Sequence, residues 1–142
     1  MPDNDLEIGH AVLEPETAQA LARRDPEKPF GMLNLLKFHS QARYPAGSAD
    51  APCSGAEAFA RYGDIAMPML RARGAEAILV DSLWVIGNGE EWDRAIIIRY
   101  PTVASFLSLF KDPAYIPAAH HRTAALADTR LLLMDFAGSL RS

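Results

Sequence analysis

The stretch Trp92-Asp93-Arg94-Ala95-Ile96-Ile97-Ile98-Arg99-Tyr100-Pro101 decides the fold. A β-branched run with polar residues before it and a proline after it predicts a strand. Neighbouring side chains of a strand point to opposite sides, so three successive isoleucines make both faces apolar and demand cover on both. Parity places Trp92 and Tyr100 on one face and Asp93 and Arg99 on the other. Phe30 to Phe38, Phe-Gly-Met-Leu-Asn-Leu-Leu-Lys-Phe, reads as a second strand of the same two-sided kind. It is interrupted by Asn34 and Lys37, which alternation sends to opposite faces.

The remaining elements fall into place around these two. Residues 15–24 carry a proline near the first turn, an early glutamate and late arginines, which predicts a short helix stopped by Pro26 and Pro29. Ser40 to Ser54 is rich in Ala, Gly, Pro and Ser, a loop long enough to be either mobile or a lid. Ser54 and Glu57 form a capping-box pair that opens a helix running to about Arg73, where Gly74 closes it. Phe59, Tyr62, Ala66, Met69 and Leu70 give that helix one apolar stripe. Ala75 to Ile86 reads as a strand, and Gly87-Asn88-Gly89 as the turn of a hairpin into the Trp92 strand. Thr102 caps a helix carrying Phe106, Leu107 and Phe110. Asp112-Pro113 starts a second helical segment that ends near Asp128, before a last strand from Leu131 to Phe136.

Setting the first helix aside, the order strand, helix, strand, strand, helix, strand is the split βαβ pattern of an α+β, ferredoxin-like domain. Residues 1–29 then form an N-terminal tail and short helix, 30–137 the domain, and 138–142 a tail. Both crossover helices lie on one sheet face, so the apolar side chains of the other face predict a homodimer.

Composition narrows function. The 142 residues are 49% hydrophobic with a net charge of −4 and no basic cluster, which argues for a single domain and against a nucleic-acid partner. The polar, acidic start and the absence of a long apolar run predict a cytoplasmic protein without a membrane partner. The single Cys53 has no cation or histidine beside it in sequence and reads as a bystander. No HxxxH or HExxH pattern supports zinc, and no glycine-rich phosphate loop precedes a helix, so neither a metal nor a nucleotide cofactor is expected. His10 lies in the tail and His39 ends a strand.

Several separated segments resemble one family. Met32-Leu33-Asn34-Leu35-Leu36-Lys37-Phe38, Gly55 to Tyr62, Trp92-Asp93, Arg99-Tyr100-Pro101-Thr102, Asp112-Pro113-Ala114-Tyr115 and His121-Arg122 look like the domain of unknown function 1330 group, in the right order from Pro15 to Phe136. That resemblance implies the dimeric α+β barrel superfamily, and with it a fold and a dimer rather than a reaction. The wider superfamily includes cofactor-free quinone-forming monooxygenases, haem-degrading enzymes and muconolactone isomerase-like proteins, with sites in the cleft between sheet and helices. Fold alone does not choose among them.

The candidate site residues follow from chemistry and spacing. Tyr115 and Arg122 are seven apart and share a helical face with Ala118, Ala119 and Leu126, so a phenol and a guanidinium flank small side chains that leave room. A guanidinium so placed holds a carboxylate or an enolate with its planar fork, against the plainer reading of a structural ion pair. His120 and His121 are about a hundred degrees apart on a helix and do not converge on one metal; His121 is the candidate acid or base. Asn34 and Lys37 are polar groups in a central strand, candidates to contact a substrate oxygen or to bond the backbone. Tyr62, Trp92, Arg99 and Tyr100 complete the expected binding wall, with core packing the competing role for the aromatics. The expected function is a small-molecule-binding protein, with His121 and Arg122 doing metal-free acid–base or enolate chemistry on an anionic or carbonyl-bearing molecule. The alternatives are a non-catalytic ligand-binding or structural dimer, and a haem-handling or cofactor-free monooxygenase-like protein.

Overall fold

A computed structural model describes Leu6–Ile8, Ala11–Leu13 and residues 15–136. His10 and the tail at 138–142 lie outside the described residues. In the segment expected to be plain tail, β1 (Leu6–Ile8) and β2 (Ala11–Leu13) pair antiparallel as a small separate sheet. Helix α1 (Pro15–Arg23) follows, with Leu21 buried.

The main sheet holds β3 (Phe30–Phe38), β4 (Glu76–Trp84), β5 (Glu91–Tyr100) and β6 (Leu126–Met134) in the order β4-β5-β3-β6, all neighbours antiparallel. This is the ferredoxin-like topology, and the two strands with two-sided apolar sequences are the central pair. Helices α2 (Gly55–Ala72), α3 (Val103–Lys111) and α4 (Tyr115–Ala125) supply the crossovers, and α2 packs along α4.

Local chemistry sets most boundaries. The Ser54 hydroxyl accepts from Glu57 N–H and the Glu57 carboxylate accepts from Ser54 N–H, each at 3.0 Å, so two otherwise unpaired donors at the start of α2 are satisfied. Thr102 and Ser105 make the same reciprocal pair at α3. Asp112 differs from its expected role. It ends α3 as well as accepting from Ala114 N–H at 3.0 Å, and Arg73 holds it at 2.9 Å.

The larger difference is at the end of α4, which stops at Ala125 rather than near Asp128. The carbonyls of Ala124 and Ala125 accept from the N–H groups of Arg43 and His39 at 2.8 and 2.9 Å. Leu126 then pairs with Phe38 and becomes the first residue of β6. A helix ends where its last carbonyls find other donors, and these donors come from a loop some eighty residues upstream by the order of the chain.

The core lies between the sheet and the helices. Phe30, Met32, Leu36, Ile96, Ile98 and Tyr100 from the sheet pack against Phe59, Leu70, Phe106 and Leu109. Each fully buried side chain of this size contributes about 1.5–3 kcal/mol of transfer free energy. The opposite sheet face is open: Ile78, paired with Ile97, is 62% exposed, and Leu132, paired with Leu33, is 43% exposed.

Candidate functional site

Two polar clusters lie on the helix side of the sheet, and adjacent residues of α4 feed them separately. The inner one surrounds a cavity of about 20 Å³, room for one water-sized group, lined by Met32, Asn34, Tyr62, Ile98, Tyr100, Phe106, Leu109, Phe110, Tyr115 and Leu131. Behind it sits Arg122, only 1% exposed. Its Nη2 donates to Asn34 Oδ1 at 3.3 Å, and its guanidinium lies 6.0 Å from the Tyr62 ring centre. The Asn34 amide in turn donates to the carbonyls of Met32 and Ile96, both at 3.3 Å. All of its polar groups are therefore used, and its part is to hold the guanidinium against β3.

Three phenols complete this cluster. The hydroxyls of Tyr62 and Tyr115 are 3.2 Å apart. Tyr100 is 2% exposed and faces the cavity, yet among the described residues its hydroxyl makes no hydrogen bond. Burial pushes the phenols of Tyr100 and Tyr115 well up from their ordinary range, an effect that the nearby Arg122 charge opposes without reversing. Both stay protonated and serve as donors at any physiological pH.

The outer cluster pins the loop of residues 40–54 to α2 and α4. Arg61 Nη1 donates to the Tyr44 oxygen at 3.2 Å, and Tyr44 Oη lies 2.7 Å from His121 Nδ1. The phenol oxygen accepts from Arg61, and its own proton is available to the imidazole when Nδ1 is unprotonated. Desolvation holds the His121 pKa below its ordinary value, against the pull of Asp50. Beside it His120 Nε2 is 2.6 Å from Asp50 Oδ2, and the hydroxyl of Ser48 bonds the same carboxylate oxygen. Hydrogen bonds from Ser48 and His120 lower the Asp50 pKa. Arg61 also donates to the Ala51 carbonyl at 3.0 Å, and Ala42 N–H to that of Cys53 at 2.8 Å. The loop is a docked segment tied along its length.

The residues picked out by sequence thus divide. Asn34, Tyr62, Tyr100, Tyr115 and Arg122 come together at the cavity. His121 belongs to the loop cluster instead, since one helical step rotates it away from Arg122. Lys37 is exposed and donates to the Glu91 carbonyl at 3.2 Å. Arg99 is exposed, with its guanidinium 5.9 Å from the Phe136 ring centre. Trp92 is buried under Arg130, 5.3 Å from ring centre to guanidinium carbon, apart from the cavity that Tyr100 lines. Tyr44 and Asp50, and with them their partner Arg61 on α2, escaped sequence reasoning, because a loop without periodicity does not signal which helix it will touch. Among the described residues no three His, Cys, Asp or Glu side chains gather to hold a metal ion, and no helix is long and apolar enough to cross a membrane.

An α+β chain with this strand order belongs to the class of ferredoxin-like proteins. A family model described as Domain of unknown function (DUF1330) matches residues 49–136, and the chain belongs to that family. The methylated form of the RPA0582 protein is similar over 93% of this chain and 98% of its own, at 32% identity and a TM-score of 0.78. A second structure of RPA0582, a protein of unknown function from Rhodopseudomonas palustris, matches at 33% identity over 89% and 95% of the two chains, with a TM-score of 0.77. The cofactor-independent oxygenase SnoaB from Streptomyces nogalater shares the fold at 17% identity and a TM-score of 0.51, over 81% of this chain and 99% of its own. No curated protein matches the sequence significantly.

Proposed function

We propose that this protein is a cytoplasmic homodimer that binds a small oxygen-bearing molecule, a carboxylate or an enolisable carbonyl compound, in the cavity beside Arg122. The observation that carries the reading is the Tyr100 hydroxyl: a donor on a buried residue that lines the cavity and makes no hydrogen bond among the described residues. A ligand oxygen in the cavity accepts from it, a bond worth about 0.5–1.5 kcal/mol net. Tyr115 and Tyr62 offer further hydroxyls at the same space, and the guanidinium behind Asn34 favours negative charge there. Neutral phenol donors and a fixed cation stabilise an oxyanion without a metal.

The same geometry ranks the alternatives. His121 spends Nδ1 on Tyr44 and does not line the cavity, so binding and polarisation of an oxygen are better supported than proton abstraction by that histidine. A haem reading needs an axial histidine facing a large apolar pocket, and neither histidine of α4 lines this small one. The homodimer rests on Ile78, Val80 and Leu132, apolar and exposed on the open sheet face.

Titration with acetate and with acetylacetone, followed by calorimetry and by the NMR signals of the tyrosine rings, tests the site. Both probes should bind the wild-type protein, and Tyr100→Phe should weaken acetylacetone roughly 3- to 10-fold, the loss of one neutral hydrogen bond, and acetate roughly 10-fold or more, the loss of one to a charged group. Unchanged affinity in Tyr100→Phe, or no binding of either probe, overturns the reading.

A further inference from the structure

The cavity as it stands admits one polar group, so a larger molecule must displace something, and the lining residues differ sharply in how freely they move. Tyr100 and Tyr115 are 2% and 4% exposed, and Phe106 is sealed in by Phe30, Tyr100 and Phe110. Displacing any of them breaks the core. Tyr62 is half-buried at the rim, on α2, and its ties are few: one hydroxyl contact to Tyr115 at 3.2 Å, ring contacts to Phe59 and Tyr115 at 5.1 and 6.2 Å, and the guanidinium of Arg122 at 6.0 Å.

We propose that Tyr62 is the door of this cavity and that its own phenol marks the ligand it gives way to: a planar, single-ring acid whose ring takes the slot of the Tyr62 ring and whose oxygens take the place of its hydroxyl. This rests on the binding reading above and adds the route and the shape of the ligand. When the Tyr62 side chain turns outward, the Tyr115 hydroxyl loses its partner and joins that of Tyr100 as a second donor facing the enlarged space. Arg122 loses the ring beside its guanidinium. The vacated slot has the Phe59 ring on one side, tilted at 46° to the Tyr62 ring it would replace, and the edge-on Tyr115 ring on another, contacts that suit an aromatic ring better than a branched chain. Two phenols that burial keeps protonated and one cation select a carboxylate over a neutral amide of the same shape. Tyr62 is therefore a specificity-determining and gating residue, with no bond made or broken at it.

Benzoate is the probe, with benzamide as its neutral match and cyclohexanecarboxylate as its puckered one. Wild-type protein, Tyr62→Ala, Tyr62→Phe and Tyr100→Phe are titrated by calorimetry and stopped-flow fluorescence, after thermal melts establish that each is folded. Benzoate should bind more tightly than either comparison compound. Tyr62→Ala should bind it at least about 10-fold faster than wild type, because no ring has to move, and Tyr62→Phe, which keeps the ring but frees it from Tyr115, should fall between. Wild-type rates in both Tyr62 variants, with Tyr100→Phe still weakening benzoate, overturn the door while sparing the cavity. Acetate binding without benzoate binding in every variant overturns the ligand class alone. Tyr100→Phe binding both acids like wild type removes the binding reading itself.

Discussion

The Tyr44 hydroxyl meets Nδ1 of His121 at 2.7 Å and joins a loop to a helix 77 residues further along the chain. A third residue, Arg61, donates to the same phenol oxygen at 3.2 Å. A protonated imidazole would place its charge in a partly desolvated site beside the Arg61 guanidinium, so the neutral ring is favoured there.

Stability should therefore depend on pH through His121. Desolvation lowers the His121 pKa from its ordinary 6.5, so the unfolded chain binds this proton more readily than the folded one. The contribution is fully present above pH 6.5 and is lost as pH falls from there through the folded value. Melting temperatures recorded between pH 8 and pH 5 should fall in that window for the wild type and fall less for His121→Gln. Parallel curves for the two proteins would remove His121 as the source. At lower pH, protonation of Asp50, whose folded pKa is also lowered, loosens the loop further.

Arg122 and Asn34 should prove energetically coupled. A double-mutant cycle with Arg122→Met and Asn34→Leu, followed by urea unfolding, should give a coupling of about 0.5–3 kcal/mol, as groups sharing a buried bond do. Arg122→Lys keeps the charge and loses the planar fork, so it should weaken benzoate more than a charge-conserving change otherwise would. A lowered melting midpoint with unaltered benzoate affinity would make Arg122 structural only.

Of the described glycines, Gly55 has the least room for a side chain. A Cβ there would sit 2.1 Å from the His39 carbonyl oxygen and 2.8 Å from that of Ala125, both backbone atoms that cannot step aside. Gly55→Ala should destabilise by about 1–3 kcal/mol in chemical denaturation, even though alanine is the better helix former. A neutral or stabilising effect would mean that this junction of loop, α2 and α4 is slack.

On the open sheet face, Ile78→Glu combined with Leu132→Glu should convert a dimer into monomers. Light scattering of the wild type should give about twice the 15.5 kDa of one chain, with an interface on the order of 2,000 Å². A wild-type mass of one chain at micromolar concentration would refute the dimer.

Much of the architecture was legible in the sequence. The two-sided strands at 30–38 and 92–100, the capping pairs at Ser54 and Thr102 and the glycine-rich hairpin are encoded by residues within a few positions of one another, and the order of elements then admits few topologies. The shared face of Tyr115 and Arg122 was legible for the same reason, through helical spacing. Tertiary structure alone decided the rest. Asn34 meets Arg122 across 88 positions because β6, which follows α4, pairs beside β3, and no local pattern states that. The end of α4 was set by N–H groups of Arg43 and His39. One helical step separated His121 from the cavity, and docking of the 40–54 loop supplied it with Tyr44. Periodicity tells a side chain which way to face; only the packed chain determines what it finds there.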